Sequence, residues 1–179
     1  MSQLQALRAA TSLHDVANLL QFKPSALAYV VHKNPTRYTS FTIPKKGGGT
    51  RLIQAPTPEL KLLQKHLSDL LQNCVQEIND KRKFPDQLAH GFKRDRSIIS
   101  NARRHRKQKY VFNIDLEDFF PSINFGRVRG FFIKDANFML APAVATLLAQ
   151  IACDGKALPQ GDHVLLSSQT WWGIFWTFI

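Results

Sequence analysis

Apolar positions in the first 32 residues recur at the spacing of an α-helix. Leu4 and Leu7, then Leu13, Val16, Leu19 and Leu20, fall on shared faces, and Ser12 stands where a second helix needs a cap. The step Lys23-Pro24-Ser25 interrupts the pattern, and a further short helix is predicted over 26–31. Residues 4–32 are therefore expected to form a small docking or substrate-gripping helical bundle, with nothing catalytic in it. The period then shortens. Tyr38–Pro44 and Thr50–Pro56 are β-rich runs on either side of Lys45-Lys46-Gly47-Gly48-Gly49, which predicts a hairpin with a basic, glycine-rich tip. From Thr57 the helical period returns. Threonine as cap, Pro58 in the first turn and Glu59 near the positive helix end begin a strong helix. Its stripe is Leu60, Leu63, Leu67, Leu70, Leu71, Cys74 and Ile78; Lys61, Lys65 and His66 lie off it and are expected to face solvent.

The second half alternates in the same way. A helix is predicted over 97–105, with Ile98, Ile99 and Ala102 on its buried face. Tyr110, Phe112 and Ile114 then alternate with Val111 and Asn113, a strand pattern that ends on Asp115, Leu116, Glu117 and Asp118. Three acids in four residues are an odd choice for a plain core strand, and a buried strand ending on a carboxylate holds one cation ligand rigidly. Asp115 is therefore the expected centre of the chemistry. A turn and short helix carrying Arg127 and Arg129 follow over 123–133, and Ala141-Pro142 begins a helix with Val144, Leu147, Leu148 and Ile151 as its core stripe. Lys156-Ala-Leu-Pro-Gln-Gly161 reads as a rigid turn that positions a glutamine.

Charge changes this picture more than composition does. The 179 residues hold 24 Lys+Arg against 13 Asp+Glu, a formal net charge of +11. That excess argues for a polyanionic partner, nucleic acid ahead of a membrane surface. It is also localised: Lys93, Arg94, Arg96, Arg103, Arg104, Arg106, Lys107 and Lys109 are opposed between 93 and 109 by Asp95 alone. A solvated face is the default for such a run, but a one-sided excess leading into an acidic strand end points to contact with a nucleic-acid backbone. At the hairpin tip, Lys45, Lys46 and Arg51 supply positive charge where glycines let a backbone approach a phosphate, although many surface hairpins carry a lysine and a glycine at the turn. Cys74 and Cys153 lack metal-ligand spacing and are read as reduced core thiols. With no secretory signal and no apolar run long enough for a membrane span, the expected location is cytoplasmic.

Taken in order, Ile43-Pro-Lys-Lys-Gly-Gly-Gly-Thr-Arg51, Ala55-Pro56, Leu60-Lys61, Gln64, Ala89-His-Gly-Phe92, Ser97-Ile98, Asn101-Ala102 with His105, Asn113-Ile-Asp-Leu-Glu-Asp-Phe-Phe120, Arg127-Val128 and Leu158-Pro-Gln-Gly161 form a specific set. Across about residues 36–161 the chain resembles the bacterial reverse transcriptases of the retron type, and the Asn-Ala-x-x-His element favours retrons over group II introns. The resemblance implies an α+β, right-hand polymerase fold: an N-terminal helical segment (1–35), fingers (36–109) and a partial palm (110–161). It implies two Mg2+ ions on Asp115, with the Leu116 carbonyl as a further ligand and Asp118 structural. Phe120 would block a ribose 2′-OH, a role compatible with its being a core phenylalanine. Lys45, Lys46 and Arg51 would hold the incoming triphosphate, and Gln160 and Gly161 would lie against nucleotide and template. The basic stretch, with Asn101 and His105, would bind nucleic acid. Substrates would be dNTPs and an RNA template and primer, with a retron non-coding RNA as template, no membrane, and an effector protein of unknown identity. The implied product is a branched RNA–DNA linked to defence against phage. A non-catalytic RNA-binding module that keeps the basic surface is the competing reading.

After Gly161 the family pattern breaks. A Ser-Pro-x-x-Ser-Asn helix and a Tyr-x-Asp-Asp strand are expected there, yet residues 162–179 form a hydrophobic tail containing Trp171, Trp172 and Trp176 and no Lys or Arg. Codons permitted for this tail, read in a shifted frame after restoring one nucleotide, spell Ala-Pro-Arg-Pro-Pro-Val-Ile-Ser-Asn-Leu-Val-Gly-His-Phe-Leu-Asp-Ile. The expectation is a one-nucleotide deletion or sequencing error after codon 161, leaving an inactive chain without its second acidic motif. A genuine hydrophobic interaction segment is the alternative.

Overall fold

The computed structural model describes residues 2–34, 36–45, 47–81, 90, 96–112 and 119–159. The N-terminal helices are α1 (Gln3–Ala9), α2 (Leu13–Leu19) and α3 (Pro24–Ala28), the last continuing into a π-helical turn over Tyr29–Lys33. Ser2 and Ser12 cap the first two through reciprocal capping boxes with Gln5 and Asp15. The Asp15 carboxylate accepts from the amides of Thr11 and Ser12 and from the Ser12 hydroxyl, at 2.8–3.0 Å. Those bonds, led by the Thr11 amide, hold its pKa below the ordinary carboxylate value.

Strands β1 (Tyr38–Pro44) and β2 (Thr50–Pro56) pair antiparallel, Tyr38 opposite Pro56 and Pro44 opposite Thr50. The expected hairpin is present. Its tip closes through Lys45 N to Gly49 O at 3.0 Å and Gly48 N to Lys45 O at 3.1 Å. Gly48 and Gly49 have φ of 91° and 82°, the left-handed region where a side chain is costly. Helix α4 (Pro58–Asp80) comes next, and every residue of its predicted stripe is buried. Thr57 occupies the cap position but makes no side-chain cap bond; its amide donates instead to Arg37 O at 2.9 Å.

Helices α5 (Ile98–Arg104), α6 (Phe119–Ser122), α7 (Phe125–Lys134) and α8 (Pro142–Ala152) complete the described elements. One core runs through α1 to α4, α7 and α8, from Leu4 and Leu7 to Leu148 and Ile151. Phe131, Phe132 and Phe138 fill its α7 end with ring centroids 5.3–5.6 Å apart in tilted and edge-on pairs. The N-terminal segment is integral to this core. Glu77 on α4 accepts from the Gln3 and Leu4 amides at 3.0 and 3.4 Å, satisfying donors that α1 leaves open at its start. Cys74 and Cys153 are buried free thiols, and burial pushes both up to about 12.

Three expectations need correction. His66 does not face solvent: it is half-buried, with Nδ1 2.7 Å from Leu20 O and its ring edge-on to Phe22 at 5.2 Å. Helix α5 forms where predicted, but Ile98, Ile99 and Ala102 are exposed, Ile98 at 87%. Tyr110 and Phe112, at 81% and 85% exposure, belong to no strand. A strand needs a neighbour to pair with, and among the described residues the only sheet is β1–β2.

Candidate nucleotide and nucleic-acid site

The hairpin tip offers the first group of predicted residues. Lys45 is exposed at the end of β1, and Arg51 stands opposite Ile43 in β2. The register thus puts Lys45 and Arg51 at the same end of a hairpin with seven residues in each strand. Lys46 lies outside the described residues. So do Asp115, Leu116 and Asp118, as well as Gln160, Gly161, Lys93 and Arg94.

Phe120 flanks the acidic segment. It is half-buried on α6 and packs against the core, and its carbonyl accepts from Ile123 N at 3.0 Å. The chain entering the Pro-Gln-Gly turn is tied to this region. Leu158 N donates to Ile123 O at 3.1 Å, Phe125 N donates to Lys156 O at 2.8 Å, and Asn124 bridges to Ala157. The Asp154 carboxylate, 3.2 and 3.3 Å from the Lys156 and Ala157 amides, shapes the preceding bend. Phe120 and the Leu158–Pro159 step therefore hang from one short hydrogen-bonded junction.

The basic arm is the third group. Asn101, Arg103, Arg104, His105, Arg106, Lys107 and Lys109 are all exposed, Arg96 is half-exposed, and α5 buries no residue. Ser97 caps α5 through a box with Ser100, and Arg103 and Arg104 sit in its last turn, where the helix end favours cations. The helix stops in a turn that puts Lys107 at φ 66°. His90 is buried, its Nδ1 2.8 Å from Ser100 Oγ, which pins the start of the arm. Lys109 Nζ lies 5.5 Å from the centre of the Tyr110 ring.

Two residues that periodicity gave no reason to single out join the hairpin to α8. Arg37, just before β1, donates through Nη2 to Gln150 O and, at 3.4 Å, to Cys153 O. Gln64 on α4 is fully buried and donates through Nε2 to Ile151 O at 3.0 Å and to Tyr38 Oη at 3.1 Å. Gln64 was legible only as one position in the ordered resemblance; Arg37 carried no signal at all.

No cluster of three or more His, Cys, Asp or Glu side chains able to hold a metal occurs among the described residues. By residue type alone, the carboxylates of Asp115, Glu117 and Asp118 are oxygen donors of the kind a hard divalent cation takes. No described helix is long and apolar enough to cross a membrane.

An α+β chain with a basic hairpin, an aromatic beside an acidic segment and an exposed basic arm matches known proteins along most of its length. Residues 43–128 match the family "Reverse transcriptase (RNA-dependent DNA polymerase)". The chain belongs to that family, and its α+β fold is that of reverse-transcriptase fingers and palm. Within the family its similarity is to retron enzymes. It is 37% identical over 142 residues to the retron Mx65 reverse transcriptase of Myxococcus xanthus, covering 76% of this chain and 31% of that protein. It is 32% identical over 152 residues to the retron Ec86 reverse transcriptase of Escherichia coli, covering 84% and 44%. A second Myxococcus xanthus protein, the retron Mx162 reverse transcriptase, is 38% identical over 119 residues, covering 66% and 22%. The chain thus spans less than half the length of each of these relatives.

Proposed function

We propose that this chain contributes the fingers and the first palm segment of an RNA-directed DNA polymerase that copies a structured retron RNA. The observation that carries the reading is the family match over residues 43–128, which runs unbroken from the hairpin tip through the acidic segment to α7. In this reading Lys45, Lys46 and Arg51 neutralise and orient the triphosphate of an incoming dNTP. Phe120 walls the sugar and rejects a 2′-OH. Gln160 and Gly161 lie against the nucleotide and template, and the arm from Lys93 to Lys109 holds the nucleic-acid backbone. Asp115, with the Leu116 carbonyl, would hold divalent metal, magnesium by family. Metal held there would supply activation of the primer hydroxyl and positive charge to offset that of a departing pyrophosphate, two ions by family. Of the acidic motifs the resemblance implies, the 179 residues carry the one around Asp115, and these residues alone are expected not to polymerise. Antiphage defence is the biological role that the retron relationship suggests.

The exposed arm on α5 favours a second reading, an RNA-binding module without catalysis. Primer extension with magnesium separates the two. The proteins compared are the 179-residue chain, a protein carrying the shifted-frame continuation after Gly161, and that protein with Asp115→Ala. Extension by the continued protein, abolished by Asp115→Ala, is the expected result. Activity indifferent to Asp115→Ala rejects the site, and salt-sensitive RNA binding without extension by any of the three favours the second reading.

A further inference from the structure

The C-terminal end of α8 is buried, with Ile151, Ala152 and Cys153 inaccessible to solvent. A helix end leaves its last four carbonyls without intrahelical donors, and here water cannot readily supply them. No glycine follows directly to close the end: Cys153 is extended, and the left-handed glycine comes two residues later at Gly155, φ 108°. The donors come from far away in sequence instead. Arg37 serves Gln150 O and Cys153 O, and Gln64 serves Ile151 O while also holding Tyr38 Oη. Arg37 and Tyr38 are the root of the hairpin, and the Arg37 carbonyl accepts from Thr57 N, just past its other strand. Beyond Cys153 the chain runs directly into the junction that ties Leu158 to Ile123, whose own amide donates to Phe120 O.

We infer that Arg37 and Gln64 are positioning residues that lock the root of the hairpin onto the end of α8, and so fix the spacing between the basic tip and the turn at Leu158–Pro159. Neither touches the nucleotide. They act through the two elements that the polymerase reading sets against it. Arginine suits the task because Nη2 carries two N–H donors held in the rigid guanidinium plane, one for each carbonyl, whereas the donors of a lysine rotate on a flexible stem.

Two measurements test this. In the 179-residue chain, spin labels at Gly47→Cys and Lys156→Cys report the tip-to-turn distance by pulsed electron resonance. A Cβ at Gly47 would meet nothing within 4 Å and Lys156 is exposed, so neither label disturbs packing. The buried native thiols do not compete for label. One narrow distance distribution is expected, broadened by Arg37→Met and by Gln64→Met and partly restored by Arg37→Lys. The second measurement rests on the polymerase reading and uses the continued protein. Arg37→Met should raise the dNTP KM about tenfold with kcat within about twofold, as expected for a displaced binding element. An unchanged distribution in folded Arg37→Met and Gln64→Met variants overturns the inference whatever the enzyme does. If Arg37→Met does not fold, Arg37→Lys carries the test: a distribution and KM identical to the parent reduce the tie to stability alone. A parent protein that does not extend primers fails the polymerase reading and leaves the distance measurement to decide the positioning role.

Discussion

Phe120 is the described residue on which the substrate assignment bears most directly. It is half-buried and packs against the core rather than being sealed within it. Its backbone is fixed by the bond from Ile123 N. If it walls the sugar, Phe120→Ala should raise ribonucleotide use relative to deoxyribonucleotide by on the order of 10- to 100-fold, the range that shape exclusion of one small group reaches. The ratio of kcat/KM values for the two nucleotides in the continued protein measures it, and an unchanged ratio returns Phe120 to the core. His66 teaches a different lesson at this scale. It lies off the leucine stripe, and periodicity assigns it to solvent, yet the Leu20 carbonyl and the Phe22 ring occupy that flank of α4. A side chain just outside an apolar stripe is covered whenever a loop packs there, and spacing along one helix carries no record of a loop.

Elements were legible to the extent that they are local. Ser12 with Asp15, the glycines between β1 and β2, and the stripe of the 23-residue helix α4 each announce themselves within a few residues. Helix α5 shows the limit. Its boundaries follow from Ser97 and the turn after Arg104, but Ile98 and Ile99 form an apolar face that nothing among the described residues covers. Periodicity identifies the face, and only tertiary structure supplies what lies against it. The opposite property, exposed charge, is what the arm offers a polyanion. Replacing Arg103 and Arg104 together with alanine should weaken RNA binding for all sequences alike. The log–log salt slope should also fall by about one for each phosphate that is no longer neutralised. Filter binding across a salt series reads both, and an unchanged slope excludes the arm from the interface.

At the scale of the molecule, the N-terminal helices do not stand apart from the remainder of the chain. Leu7 is fully buried in the core that also holds Leu63, Leu67 and Ile151, and Glu77 caps α1 from α4. Damage at one end should therefore be felt at the other. Leu7→Ala is expected to cost about 2–5 kcal/mol, the usual range for a large-to-small change in a packed interior. The loss should appear in hydrogen exchange of α8 amides as well as those of α1; protection lost from α1 alone would mean two separable units. The candidate site was legible as an ordered series of residues but not as an assembly. Arg37 meets Gln150 and Cys153 across 113 and 116 positions, and Gln64 meets Ile151 across 87. Each bond is made by one side chain to a carbonyl that every residue possesses, so no pattern of residue types betrays it.

The hairpin has one more consequence, which is mechanical. Seven residues per strand at about 3.3 Å each put the tip roughly 23 Å from the root. On such an arm a rocking of only about 2.5° at the root sweeps the tip through about 1 Å, roughly the misplacement that can cost a hundredfold in rate. In the proposed polymerase, angular tolerance at Arg37, far from any reacting atom, would then set how accurately a lysine at the far end meets a phosphate.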